Sequence, residues 1–188
     1  MSMAAVPEAV PGPEGVHITE GEATIVFPSA KEVFYNPVQV FNRDLSVVGL
    51  QVFCDMLTEE SASRDGSRRR RHQQAQDEQE AAASSSADAD SKPAPPRIRV
   101  LEALSASGLR ALRYWKEVRG LTQVVANDLS EAAVATIRRN VAHNGVDESG
   151  ILVNHGDATL YMHQLRSQGA RGFAVVDLDP YGSAAPFL

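Results

Sequence analysis

The residues Val175-Val176-Asp177-Leu178-Asp179-Pro180-Tyr181-Gly182 carry the densest chemistry in the chain. An apolar pair running straight into two acids, a proline and a phenol ring is the pattern of a buried strand that stops at a reactive edge. In open parallel α/β sheets ligands bind beyond the carboxyl ends of the strands, so reacting groups belong at such an exit. Acid, proline and aromatic in that order suit the modification of an exocyclic amino group on a nucleobase. The carboxylate and a neighbouring carbonyl accept the amino hydrogens while the ring stacks on the base. Such a reaction needs a cofactor, and the preceding chain has to bind it.

The elements that would position this exit alternate regularly from residue 97 onwards. Strands are expected at Ile98 to Leu101, Val124 to Ala126, Ile151 to Val153 and Phe173 to Val176. Between them lie a helix opened by Ser107 or Gly108 and closed by Gly120, a helix capped by Ser130 and stopped by Asn144-Gly145, and a short helix around Leu160 to Leu165. Strand and helix in alternation predict an α/β fold with a parallel sheet and right-handed crossovers. Four strands then deliver four polar loops to one edge.

The first loop, Glu102-Ala103-Leu104-Ser105-Ala106-Ser107-Gly108-Leu109-Arg110, is small-lined and precedes a helix N-terminus, so a ligand can approach its backbone closely. It lacks the glycines of the dinucleotide fingerprint, which argues against a dehydrogenase and for a cofactor without phosphate. Asp128 ends the second strand, where an acid accepts the hydroxyls of an adenosine ribose. Asp157-Ala158 ends the third, where an adenine ring would be read. Each acid taken singly is equally well explained as a helix cap; three strand-end acids together are harder to ascribe to capping. An adenosine-containing, phosphate-free cofactor beside an amino-binding acid points to S-adenosylmethionine. His17, His143, His155 and His163 have no metal-ligand spacing between them.

Upstream, residues 1–15 hold three prolines with little to bury and are expected to form a disordered arm. Residues 16–57 are read as a hairpin from Val16 to Phe27, an extended Val33-Phe34-Tyr35-Asn36-Pro37 segment, and a helix from an Asn42 N-cap to Leu57, with Leu45, Val48, Val52 and Met56 at helical spacing. From the residues alone, Phe34 and Tyr35 are core aromatics. Arg43 near a helix start does not serve the dipole, which favours a bound carboxylate or phosphate as its partner. Residues 58–96 have no apolar side chain larger than Ala and are expected to be a disordered insert; the run Arg68-Arg69-Arg70-Arg71-His72 within it is read as a solvated charge run rather than an import or RNA-binding signal. Residues 97–188 are then the first half of the core, whose later strands are absent from this fragment.

The formal net charge of −6 is not that of a nucleic-acid binder. It is uneven, however: residues 1–30 carry four Glu and no Lys or Arg, whereas residues 98–188 hold nine charges of each sign. A single cysteine, Cys54, excludes an internal disulfide and a thiolate zinc site. No apolar run approaches the roughly 20 residues of a membrane span, and the N-terminus is neither a signal nor a transit peptide. A soluble protein of the nucleus or cytoplasm is the expectation.

In Phe27-Pro28, Val33-Phe34-Tyr35-Asn36-Pro37-Val38, Phe41-Asn42-Arg43-Asp44, the 101–110 loop, Ala126-Asn127-Asp128, Gly156-Asp157-Ala158 and Asp177-Leu178-Asp179-Pro180-Tyr181-Gly182-Ser183 the chain resembles the tRNA guanine-26 N2-dimethyltransferases. The resemblance implies a Rossmann-like class I methyltransferase fold, S-adenosylmethionine as cofactor and tRNA as partner. It implies that Arg43, Arg110, Asp128, Asp157 and Ala158 contact the cofactor, that Asp179 binds the guanine amino group and takes part in proton removal, and that Phe34 and Tyr181, next to Pro180, sandwich the base. For Phe34 this reverses the core reading. Two alternatives stay open at this point: methylation of an adenine or cytosine amino group, and a catalytically incomplete, RNA-binding methyltransferase-like fragment.

Overall fold

The computed structural model describes residues 10–12, 15–79, 96–167 and 172–187. Residues 1–9 of the expected arm, residues 80–95 of the expected insert and the side chains of the Arg68–His72 run lie outside the described residues. Two sheets make up the fold. Antiparallel β1 (Val10–Gly12), β2 (Gly15–Glu20) and β3 (Ala23–Phe27) form the first, and parallel β6 (Ile151–His155), β5 (Leu121–Asp128), β4 (Ile98–Glu102) and β7 (Val175–Asp177) form the second, in that order. Helices α1 (Val40–Gln79), α2 (Leu109–Glu117), α3 (Glu131–His143) and α4 (Ala158–Ser167) complete the description.

Strand β1 corrects the expectation of disorder through residue 15, since Val10, Pro11 and Gly12 pair with His17, Val16 and Gly15. Pro11 fits because β1 is an edge strand. The β2–β3 hairpin is as expected: Gly21 sits at φ +58° in the two-residue loop between the paired Glu20 and Ala23, where a type II′ turn places glycine. The open edge of β3 is covered by side chains rather than by another strand. Asn140 Oδ1 accepts Val26 N at 2.8 Å, and Asn144 takes both Thr24 N and Thr24 O. Asn140 in the last turn of α3 and Asn144 at its C-cap thus take up the backbone groups of this edge.

The parallel sheet separates two apolar clusters because alternate strand residues point to opposite faces. Val100 and Val124 pack with Ile18, Ile25, Phe27, Leu112 and Ile137 on one side; Leu101 and Val125 pack with Ala103 and Ala158 on the other. Among the described residues β7 is the edge strand, with Val175 packed against the core and Val176 40% exposed.

Helix α1 differs from expectation in three ways. It starts at Val40 directly after a 3-10 turn over Pro37–Gln39, so Asn42 lies inside the helix rather than at its cap, and Asn36 caps the 3-10 turn by accepting Val38 N. It continues past Leu57 to Gln79, because Glu, Ala, Gln and Arg favour helix even where no core is available, and Arg64 pairs with Glu60 at 2.6 Å in i,i+4 spacing. The stripe Leu45, Val48, Val52 and Met56 is exposed, while Leu50 and Cys54, with partly buried Val47, Phe53 and Leu57, face the core. Helical spacing identifies a face without saying which partner it meets. The two faces should separate on substitution: Leu50→Ala is expected to cost about 2–4 kcal/mol and Val48→Ser less than about 0.5 kcal/mol in urea unfolding. Equal losses would contradict this orientation of α1.

Candidate active site

In the order β6-β5-β4-β7 the chain moves outward from β4 to β6 and then returns to the other side of β4. The connections leaving β4 and β7 therefore diverge, and a crevice is left between their carboxyl ends. A cleft of about 940 Å³ opens there. Its walls include Phe34, Arg43, Arg110, Asp128, Asp179, Pro180 and Tyr181, all of them named by the family resemblance. Asp157 and Ala158 are not among its lining residues. Asp157 Oδ1 accepts Leu160 N at 2.8 Å, a cap of α4, and Ala158 is 3% exposed in the core beneath the sheet.

The β4 loop is held by the strands on either side of it. Ala103 N donates to Asp177 O at 3.0 Å and Ser105 N to Asn127 O at 2.8 Å. Ala106 lies at φ 50°, a conformation that a residue with a Cβ adopts only under constraint. Asp128 provides that constraint: Oδ2 accepts Ala106 N at 2.8 Å and Oδ1 accepts Ser130 N at 2.9 Å. Each oxygen keeps a lone pair for a further donor. Fully buried Asn127 joins three loops, donating to Ala103 O and Gly156 O while accepting from Asn154.

Acids surround Arg110 in the crevice. Arg110 Nη2 meets Asp179 Oδ2 at 2.5 Å, and its Nη1 donates to Ser46 Oγ at 2.8 Å and lies 4.0 Å from Asp177 Oδ2. Burial opposes the Arg110 charge, but Asp177, Tyr114 and Asp179 outweigh it and hold its pKa above the ordinary value. Glu102 lies behind, with Oε2 accepting Ala111 N at 3.1 Å. Burial, and then the Asp177 charge, push its carboxyl up to about 8.

The opposite wall rests on a buried ion cluster. Glu20 accepts Arg43 Nε at 2.7 Å, Arg43 Nη2 at 2.6 Å, Arg113 Nη1 at 2.7 Å and the Tyr35 hydroxyl at 3.0 Å. Burial works to raise the Glu20 carboxyl, but the hydrogen bonds and charge of Arg43 and the bond from Arg113 prevail and lower it. Tyr35 is pushed up to about 12 by burial and by the Glu20 carboxylate. Arg43 thus reaches the cleft wall with its charge already matched. Phe34 is 54% and Tyr181 91% exposed, and their rings meet edge-on, 6.3 Å apart at 87°. Two exposed aromatics at one cleft mouth form a platform for a flat ligand.

Sequence reasoning assigned no role to Glu20, Tyr114 or Asn127. Glu102 carried a usable signal, since it too is an acid at a strand end. Its raised pKa gives a test. An acid whose folded pKa exceeds its ordinary value, here 4.5, contributes stability below that value and loses it as pH rises through the folded one, near 8. Glu102→Gln keeps an acceptor for Ala111 N and has no proton to lose. The variant is expected to gain on the wild type in urea unfolding between about pH 5 and pH 8. A gap that does not change with pH would refute the protonated Glu102.

Residues 14–188 match the family model described as N2,N2-dimethylguanosine tRNA methyltransferase. The tRNA (guanine(26)-N(2))-dimethyltransferase of Schizosaccharomyces pombe is 39% identical over 91% of this chain and 33% of its own length. The Saccharomyces cerevisiae protein of the same name, designated mitochondrial, is 37% identical over 91% of this chain and 31% of its own length. Among solved structures, Trm1 from Pyrococcus horikoshii in complex with S-adenosyl-L-methionine aligns at a TM-score of 0.60, with 28% identity over 91% of this chain and 37% of that one. The chain spans about a third of the length of the curated relatives it matches. With its parallel sheet, its switch-point cleft and the match over nearly all of its residues, the chain belongs to the N2,N2-dimethylguanosine tRNA methyltransferase family.

Proposed function

We propose that the protein to which this chain belongs uses S-adenosylmethionine to methylate the N2 amino group of guanine-26 in tRNA, first once and then twice. The observation that carries this reading is the placement of Asp179-Pro180-Tyr181 across the switch-point cleft from Phe34, beside the turn braced by Asp128. Family membership and the relatives' printed activity support the same reaction.

The donor set fits the cofactor. Asp128 retains acceptor capacity for two ribose hydroxyls, and the 103–108 turn lets an uncharged nucleoside lie against the backbone. Arg110 is placed for the methionine carboxylate, with Arg43 a weaker candidate because Glu20 already engages it. Asp157 and Ala158, at the end of the adjacent strand β6, retain the adenine side in this proposal.

S-adenosylmethionine supplies a methyl group already activated by its sulfonium. The chain's own residues supply alignment and a proton acceptor. Asp179, 55% exposed, reaches the cleft mouth, where its carboxylate accepts an N2 hydrogen and takes up the proton lost on methylation. The Pro180 carbonyl is the second acceptor, which steers the nitrogen lone pair out of conjugation. Stacking on both faces of a base requires near-parallel rings about 7 Å apart. Tyr181, with little around it, is the ring that turns to admit the base.

The full-length enzyme given radiolabelled S-adenosylmethionine is expected to label tRNA carrying guanine-26 and to leave a guanine-26→adenine transcript unlabelled. Equal labelling of both would overturn the assignment. Asp179→Ala is expected to lower kcat by about 10²- to 10⁴-fold, and Phe34→Ala to raise KM for tRNA.

A further inference from the structure

Arg110 is one cation facing several carboxyls. The structure pairs its Nη2 with Asp179 at 2.5 Å, while Asp177 stands off at 4.0 Å from Nη1. By Coulomb's law alone the preference is unexpected. Asp177 is 18% exposed and Asp179 55%, so the more buried acid offers the lower dielectric and the stronger attraction. Asp177 already has a nearer partner.

That partner is Tyr114. Its hydroxyl donates to Asp177 Oδ2 at 2.5 Å, the same oxygen that faces Arg110. The ring is 2% exposed and packed in the cluster around Leu112, Val100 and Ile137, so the hydroxyl has no freedom to move away. Tyr114 and Arg110 stand at i,i+4 on α2, which places hydroxyl and guanidinium on one helix face. Glu102 does not compete, because its Oε2 is engaged by Ala111 N and its carboxyl is 5% exposed behind the loop. Ser46 Oγ, from α1, accepts from Nη1.

Resting on the methyltransferase reading, we propose that Tyr114 is a positioning residue: by occupying Asp177 it keeps Arg110 on Asp179 and so holds Asp179 in place for the guanine amino group. Without the hydroxyl, Arg110 closes on Asp177 and Asp179 loses its partner. Asp177 is then the competitor that makes Tyr114 necessary, and removing both should undo the damage of removing one. A packing role for Tyr114 predicts the opposite, since losses from two core changes accumulate.

The test measures single-turnover rates and KM with the full-length enzyme and guanine-26 tRNA. Tyr114→Phe is expected to slow methyl transfer about 10- to 100-fold with KM for tRNA and the thermal midpoint unchanged. In the double variant Tyr114→Phe/Asp177→Asn the rate is expected to recover most of that loss, since Arg110 no longer has a competing carboxylate. In an Asp179→Asn background, Tyr114→Phe should have no further effect. Wild-type rates in Tyr114→Phe, a double variant slower than the single, or failure of Tyr114→Phe to fold would each overturn the proposal. A wild-type enzyme inactive on tRNA would instead sink the functional reading on which the proposal rests.

Discussion

Strand β4 sits between β5 and β7, and that reversal of strand order is the constraint on which the site depends. Parallel pairing puts Glu102 level with Asp177 across the β4–β7 seam and Asp128 just beyond the β5 register partner of Glu102. Three acids therefore emerge at one edge with diverging loops between them. A sheet that simply added strands in chain order would have sent β7 beyond β6, away from α2 and Arg110. Arg110, the turn of residues 103–108 and the Asp179 exit meet because one crossover runs back over the sheet.

A second constraint is the buried Glu20 carboxylate. Burying a charge is costly unless it is paired and hydrogen-bonded, and Glu20 is matched by two arginines and a phenol from three different segments. The geometry ties the hairpin, α1 and α2 together. It also fixes the stretch before α1: Tyr35 is held through its hydroxyl, and Asn36 O accepts Arg43 Nη2 at 3.1 Å. Phe34 lies next to these two anchors, so its ring can stand half in solvent without the backbone drifting. An exposed aromatic at a cleft mouth is thus supported by polar contacts behind it.

Much of the site was legible because strand exits in a parallel sheet are legible. Alternating strand and helix patterns placed Arg110, Asp128 and Asp179 at one edge, and all three line the cleft. Asp157 followed the same logic and lies outside the lining, since its carboxylate caps α4. Position at a strand end does not tell whether a side chain turns toward the crevice or back onto its own helix. Helix α1 shows the same limit. The Leu45, Val48, Val52 and Met56 spacing marked a helical face correctly as a face, but Leu50 and Cys54 turned out to meet the core.

By itself the sequence determined the alternation of elements, the hairpin from Val16 to Phe27, the α3 cap and stop, and the chemistry-bearing exit from Asp177 to Gly182. These are local properties, set by periodicity, capping and turn geometry within a few residues of one another. Only the tertiary structure decided that Arg43 answers to Glu20, that Asn140 and Asn144 close the edge of β3, and that Tyr114 stands between Arg110 and Asp177. Those pairings join residues far apart in the chain. Which donor meets which acceptor depends on where the packed elements leave each polar atom, and no spacing along one segment encodes that.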